Sequence, residues 1–484
     1  MGIRTLLFII VFAAVTVGGL IVPMAGVLGY VGHYIIGPER QWWSVPLQPY
    51  EIRYSLILAA ITAIGMILHF HRLRIGRPFL LKHEKIALLF LLYIVGSMVF
   101  GEKTVGLYTV VDHPTIKMLK LMAFAMMLSH VVTTQRRLEA LLWTLVIGAL
   151  LLGLQAYYTP RSAYAAGRLE TVGGTDFAES NVLAAFLAAM LPIVGIQFLR
   201  SGWIGKVLCL GAGAFAANAI ILTRSRGALM GLGAGALTAL VFAPPRLRGK
   251  IVIGMLGAGI GLYSLMDVGF TNRAASIVVE EGENRDRSAE SRLQIWKASV
   301  SMLREHPLGV GPGNFAQNIG RYEEQHAGRD AHNTFVRCYS ELGLPGLLLF
   351  LMLIGSALSL LRQAQVNVKQ GPTAEKNNAE YVPFALAISL ITLLAAGLTV
   401  TLLYVEVLWW LLMVPVCLYR AGQNTQSENS ASAKLPDISR GGSAKPAGPK
   451  VGRGKKKKKI SLASGRLPVI CGFFAQVFHQ GFPG

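Results

Sequence analysis

Apolar residues run along this chain in blocks, divided by short polar joints. About 20 consecutive apolar residues cross the hydrocarbon core of a bilayer as a helix. Twelve stretches approach that pattern: 3–22, 54–68, 85–100, 116–132, 138–154, 181–199, 204–223, 227–243, 250–266, 334–361, 383–402 and 404–420. The first is long for the apolar region of a signal peptide, and no small-x-small cleavage site follows it, so it reads as a span. The glycine-rich stretch 24–37 leaves room for one more short or re-entrant helix. The pattern predicts an all-α integral membrane protein of about twelve transmembrane helices. A transmembrane unit at 1–420 would precede a disordered tail at 421–484.

The basic residues orient these spans. Arg72, Arg74, Arg77, Lys82 and Lys85 crowd one joint, and Arg136 and Arg137 another. Arg200 with Lys206, then Arg246, Arg248 and Lys250, then Arg362, Lys369 and Lys376, fill further joints. In the twelve-span reading all of them fall on one side, which the positive-inside rule makes cytoplasmic. The other side then receives 23–53, 101–115, 155–180, the turn at Arg224–Gly227, and the long loop 267–333 between the ninth and tenth spans. That loop is mixed in sign, with 8 Lys/Arg and 10 Asp/Glu. Asp286 or Ser288 is placed to cap a helix over 289–305, which His306-Pro307 ends. Leu293, Trp296, Val300 and Leu303 fall on one side of it. Such a helix either lies on the membrane surface or packs on the protein.

Composition agrees with this reading. Of 484 residues, 53% are hydrophobic and 15% charged, against about 25% charged in soluble proteins. The net charge of +21 is partly local: eleven Lys/Arg stand against Glu428 and Asp437 in 421–484, with Lys455–Lys459 in a row. After so many spans that tail suits anionic lipid at the cytoplasmic surface rather than nucleic acid. The apolar end 467–484 has no physical account. Cys209, Cys338, Cys417 and Cys471 form no CxxC pair, so neither a disulfide framework nor a zinc site is expected.

Several chemistries have no motif here. There are six Asp and no DxD pair to hold a metal with a sugar nucleotide. There is no P-loop, GxSxG elbow, HExxH or dinucleotide fingerprint, so no cofactor is expected. What remains is a set of Arg and His residues on the outer side. Arg224-Ser-Arg226-Gly227 sits between two apolar spans, where an arginine costs about 2.5–3.5 kcal/mol at the helix centre unless it has a partner or snorkels. His332-Asn333 opens the tenth span, and Gly343-Leu-Pro-Gly346 follows. On a helix, Tyr339 shares a face with His332, and Arg337 pairs with Glu341 at i, i+4. Arg161, Arg168, Arg285, Arg287 and Arg292 are further outer-side candidates.

Three blocks resemble the O-antigen ligase/polymerase family of bacterial membrane glycosyltransferases. They are Thr223-Arg-Ser-Arg-Gly227, the run from Trp296 through His306-Pro-Leu-Gly-Val-Gly-Pro-Gly-Asn-Phe315, and Ala331-His-Asn-Thr through Gly343-Leu-Pro-Gly346. The last matches the ligases' HN-x9-GxxG pattern. Arg168, Gly173-Gly174 and Asn181 resemble the segment upstream of the family's core. The resemblance covers roughly 160–400, and the start of the chain is similar to the branch named for O-glycosylation ligases. It implies a GT-C-like bundle in the bacterial inner membrane. It also implies transfer of a glycan from undecaprenyl diphosphate to an acceptor hydroxyl on the periplasmic side, without metal. The acceptor would be lipid A core, a glycan, or a protein Ser/Thr.

The chemistry suits these residues. Guanidinium groups bind a leaving diphosphate by charge-assisted, often bidentate bonds. An imidazole can take the acceptor's proton near neutral pH. His332 is therefore the candidate base, and Arg224, Arg226, Arg292 and Arg168 are candidates to hold the diphosphate. Asn333, Tyr339 and Glu341 are candidates to orient acceptor or imidazole. In-line attack inverts the anomeric centre. Ligase, polymerase and protein O-oligosaccharyltransferase share this chemistry, with ligase preferred on the HN-x9-GxxG match. A transporter or flippase, and an assembly scaffold without activity, are the readings from other classes.

Overall fold

A computed structural model describes residues 2–76, 78–102, 108–165, 167–265, 287–370 and 381–433. The expectations for Arg77, Arg285, Asp286, Lys376, Cys471, the loop 267–286 and the tail 434–484 lie outside them. Among the described residues there is no strand, only an isolated bridge between Ala165 and Arg168. The main helices are α1 (Ile3–Ile21), α2 (Pro23–Ile36), α3 (Tyr54–Leu68), α4 (Lys82–Phe100), α5 (Pro114–Val131), α6 (Gln135–Tyr158), α7 (Ser180–Arg200), α8 (Trp203–Thr223), α9 (Arg226–Phe242) and α10 (Pro245–Leu265). After them come α11 (Arg287–Glu305), α12 (Phe315–Asn318), α13 (Thr334–Gln370), α14 (Tyr381–Ala396) and α15 (Glu406–Ala433).

Each of the twelve apolar stretches falls on a helix, but among the described residues fewer of these helices are long and apolar enough to cross a membrane. Six are long and apolar enough: α1, α4, α6, α7, α8 and α13, the last over Thr334–Val366. A seventh appears if the 3-10 helix Trp42–Tyr50 and α3, bent by 73°, form one broken span. The helices α9 and α14 are apolar but shorter. Helix α5 carries Lys117, Lys120 and His130, α10 carries Arg246, Arg248 and Lys250, and the far half of α15 is polar. The protein is a multi-pass membrane protein. Its interior gathers on α7, where 72% of the apolar window is buried, against 11% for peripheral α1.

The glycine-rich stretch 24–37 forms α2, and this changes the start of the path. Thr5 donates to the Trp43 carbonyl, Phe8 and His33 both pack on Tyr54, and Gly19 meets Ile61. So α1 and α3 run the same way and α2 runs back between them. The chain's first residues therefore lie on the side of the 37–53 segment. A single first span would have put them on the opposite side.

Two ends of the bundle emerge from the loop contacts. At one end, the Glu102 amide donates to Val310 O (3.0 Å), Arg40 to Gly174 O, and Lys117 pairs with Asp176 at 2.8 Å. At the other, basic joints meet. Thr133 donates to Leu73 O, Arg137 to Arg72 O, and Asn424 to Arg74 O. Near that second end Arg420 of α15 and Glu84 of α4 form a buried ion pair at 2.7 Å. Ser129, the Leu81 amide and the Phe79 and Ser129 carbonyls complete its hydrogen bonds. A buried pair of this kind is tolerable because most of its remaining lone pairs and protons are satisfied, Arg420 Nε being left without a partner.

Candidate functional site

The turn between α8 and α9 is two residues long, Arg224-Ser225. It reverses the chain by placing Arg224 in the left-handed region, φ 50° and ψ 37°. An L-residue there costs about 1–2 kcal/mol. Glycine would avoid that cost, so the guanidinium is kept against a backbone penalty. Ser225 caps α9, its hydroxyl accepting from the Ala228 amide at 3.4 Å. Gly227 then lets the turn approach the 397–405 segment, since a Cβ there would lie 2.1 Å from Thr399 Oγ1.

This turn forms one wall of a polar cavity of about 50 Å³. The lining is Arg168, Asn181, Arg224, Arg226, Gly227, Arg292 and Thr399. Roughly 10–15 Å³ holds one water, so the space suits a larger polar group. Arg168 is fixed by donating to Thr223 O at 2.9 Å and to Asn181 Oδ1 at 2.8 Å. Asn181 belongs to the first turn of α7, and Arg226 and Gly227 to the first turn of α9. Helix N-termini present partial positive charge. Four arginines and two N-terminal turns thus line one small space. Its electrostatics favour an anion with several acceptor oxygens.

Residues 211–351 match the O-antigen ligase family, and residues 3–201 match a family of unknown function. The chain carries an O-antigen ligase domain. No curated protein matches it. The ligase domain supplies Arg224, Arg226, Gly227 and Arg292 to the cavity. The N-terminal region supplies Arg168 and Asn181, and Thr399 lies beyond both matched stretches. The cavity is therefore assembled from three separate parts of the chain.

The ligase domain's His332 also has a left-handed backbone, at φ 46°. Its amide donates to Asp330 Oδ2 at 2.9 Å, and the same oxygen lies 3.7 Å from its ring Nδ1. The side chain is half-exposed. Asn333 is buried, and its Oδ1 caps α13 by accepting from the Phe335 and Val336 amides at 2.9 and 3.1 Å. Thr334 locks this entry to the 397–405 segment: its amide donates to Gly397 O at 2.8 Å and its hydroxyl to Val400 O at 2.8 Å. His332 is linked to the cavity by two short routes. Trp296, one helical turn from Arg292 on α11, donates to the Ala331 carbonyl at 2.9 Å. Thr399 lines the cavity, while Thr401 donates to Asp330.

Glu341 and Tyr339 lie deeper along α13. Glu341 is fully buried and accepts from Arg337, from the Tyr404 hydroxyl at 2.6 Å and from the Phe315 amide at 3.3 Å. The i, i+4 pairing with Arg337 is present. Tyr339 packs in an apolar cluster with Ile295, Ala298, Met302, Val310, Phe315 and Ile319. That cluster seats α11 on the protein. The buried face of α11 is Ile295, Ala298 and Met302, whereas Leu293 and Val300 of the stripe read from sequence are exposed. Gly343 breaks α13 at φ 65° and ψ −170°. A Cβ there would lie 2.3 Å from Pro307 O. The 307–313 loop fills that notch, with Gly311 N donating to Glu341 O at 2.9 Å.

Four of the candidate residues, Arg168, Arg224, Arg226 and Arg292, thus share one cavity. His332 and Asn333 stand at a neighbouring helix start, and Tyr339 and Glu341 form its support. Arg161 does not line the cavity and is exposed in a short 3-10 helix. Thr399, Thr401 and Asp330 are the residues that sequence reading missed. The signal for the first two was Gly397-Leu-Thr-Val-Thr401, a polar interruption in an apolar run. The expected span 383–402 in fact ends at Ala396, because Thr334 draws the following backbone out of helix.

Proposed function

We propose that the protein is a metal-independent, inverting glycosyltransferase that moves an oligo- or polysaccharide from undecaprenyl diphosphate to an acceptor hydroxyl. The O-antigen ligase domain implies glycosyltransferase-type activity. The single observation that carries the finer reading is the cavity of four arginines, linked to His332 through Trp296 and the 397–405 segment. Each charge-assisted hydrogen bond contributes about 1.5–3 kcal/mol. Several together stabilise the negative charge that grows on the departing diphosphate, the task a metal performs in other transferases.

The acceptor oxygen attacks the anomeric carbon in line, opposite the diphosphate oxygen. Its proton passes to His332. The C–O bond to the diphosphate breaks, and undecaprenyl diphosphate leaves with the electron pair against the arginines. Asn333 and the Thr334 clamp hold the backbone that carries His332. The arginine-rich end faces the periplasm, because the basic joints gather at the other end and stay in the cytoplasm. The membrane is then the bacterial inner membrane, and the C-terminus is cytoplasmic. Among acceptors, lipid A core is preferred on the HN-x9-GxxG pattern of the ligases.

Binding of a labelled undecaprenyl-diphosphate oligosaccharide to the purified protein tests this reading. Arg168→Gln, Arg224→Gln, Arg226→Gln and Arg292→Gln should each weaken binding about 10- to 100-fold. His332→Ala should keep binding and lose transfer by about 10²–10⁴. Unchanged binding in all four arginine variants would remove the cavity from the donor's path.

A further inference from the structure

His332 stands on a left-handed residue, and one carboxylate attends both its backbone and its ring. Asp330 Oδ2 accepts the His332 amide at 2.9 Å and lies 3.7 Å from Nδ1. The Thr401 hydroxyl donates to that same oxygen. Arg337 donates to the other oxygen, Oδ1. Arg337 already has a charge partner in Glu341, which is completely buried. A second carboxylate is therefore more than this arginine needs for neutrality, and its Oδ2 is turned to the His332 side.

We propose that Asp330 is a positioning residue that orients the His332 ring, with Thr401 and Arg337 fixing the carboxylate that does so. The inference rests on the proposed role of His332 as base. The two ring nitrogens of imidazole lie on different edges, and the partner of one sets the proton state of the other. A carboxylate on the Nδ1 edge favours the proton there and leaves Nε2 free to accept the proton of the acceptor hydroxyl. Burial by itself would raise the Asp330 carboxyl. Arg337, the Thr401 hydroxyl and the His332 amide outweigh burial and hold it below the usual carboxylate range. The group is thus ionised where the enzyme works. The two threonines of the 397–405 segment divide the work: Thr399 lines the arginine cavity, and Thr401 steadies the carboxylate behind the histidine.

The experiment measures kcat, donor KM and melting temperature of the purified full-length protein, with labelled undecaprenyl-diphosphate oligosaccharide and its acceptor. Asp330→Asn keeps an acceptor for the His332 amide but loses the charge facing Nδ1. It should lower kcat at least tenfold and leave donor KM within about twofold. Thr401→Val leaves the carboxylate and Arg337 in place and should lower kcat several-fold, again with donor KM unchanged. A purely structural Asp330 would instead lower the melting temperature while kcat per folded molecule held. That result, or a change confined to KM, overturns the proposal. If Asp330→Asn does not fold, Thr401→Val decides, and wild-type kcat in it overturns the proposal. Absence of transfer by the wild-type protein would count against the proposed function, whereas transfer at full rate by Asp330→Asn counts against this inference alone.

Discussion

Alanine at Gly343 would strike the joint on which the candidate site leans. The residue sits at φ 65° and ψ −170°, a region nearly reserved to glycine, and holding alanine there costs about 1–3 kcal/mol. The new Cβ would lie 2.3 Å from Pro307 O, 2.4 Å from Leu308 C and 2.6 Å from Leu308 Cα. All three are backbone atoms, so the 307–313 loop has to retreat. Three hydrogen bonds hold it there: Leu344 N to Pro307 O, Val310 N to Ser340 O, and Gly311 N to Glu341 O, at 3.1, 3.0 and 2.9 Å. Each is worth about 0.5–1.5 kcal/mol. Strain and lost bonds together give about 2.5–7.5 kcal/mol, a large share of the ~5–15 kcal/mol that holds a typical domain. The retreat would also draw Phe315 N from Glu341, and so loosen Arg337 and Asp330. Gly355→Ala is the control, since no atom lies within 4 Å of its Cβ on the same helix. Alanine should be neutral or slightly stabilising there. The assay is denaturation of both purified variants in detergent, followed by tryptophan fluorescence and size exclusion. If Gly343→Ala unfolded together with wild type, the reasoning that the loop is wedged against this glycine would be wrong.

Gly227→Ala should destabilise the protein, because its Cβ would meet Thr399 Oγ1 at 2.1 Å. Adding Thr399→Ala should restore much of the loss, and a melting curve for the double variant that matches the single one would contradict the contact. Arg420→Met should cost about 3–5 kcal/mol by stranding Glu84 in the interior. The pair Arg420→Met with Glu84→Gln should lose clearly less, as read by denaturant unfolding. Asp330 contributes stability through its depressed carboxyl. The sign follows from linkage: the contribution is complete above the unfolded value, about 3.9, and is lost only as pH falls through the lowered folded value. The stability gap between wild type and Asp330→Asn should therefore stay level from neutrality to about pH 4 and close below it; a gap that widened on acidification would contradict the assignment.

Long apolar runs were the most legible part of the fold, because burial in lipid leaves a signal that spans some 20 residues. Helix ends were less legible. The 397–405 segment reads as apolar, yet Thr334, more than sixty residues earlier, takes Val400 O and Leu402 N out of any helix. The α2 helix was legible as room for one more short or re-entrant helix at 24–37, and its glycines, which kept that stretch out of the twelve-span count, here admit close helix contact. Gly26, for example, lies against Thr62. The arginines of the cavity were legible as charges that should be costly in a membrane protein. Their convergence was not, because Arg168, Arg224 and Arg292 come from segments far apart in sequence. Glu341 was legible as a partner of Arg337 at i, i+4, but its burial depends on Tyr404 and Phe315, which only tertiary contact supplies. On α11 the sequence stripe holds Leu293 and Val300, which are exposed, while Ile295, Ala298 and Met302, off that stripe, pack against the neighbouring loop.

The most direct measurement is transfer in vitro. Purified protein receives labelled undecaprenyl-diphosphate oligosaccharide with EDTA throughout, and three acceptors in parallel: lipid A core, a second lipid-linked repeat, and a Ser/Thr-rich protein. The account predicts labelled product on lipid A core, formed without added metal, abolished in His332→Ala and strongly reduced in Arg224→Gln. No product on any acceptor, from a protein that instead moves lipid-linked glycan across proteoliposome membranes, would contradict it.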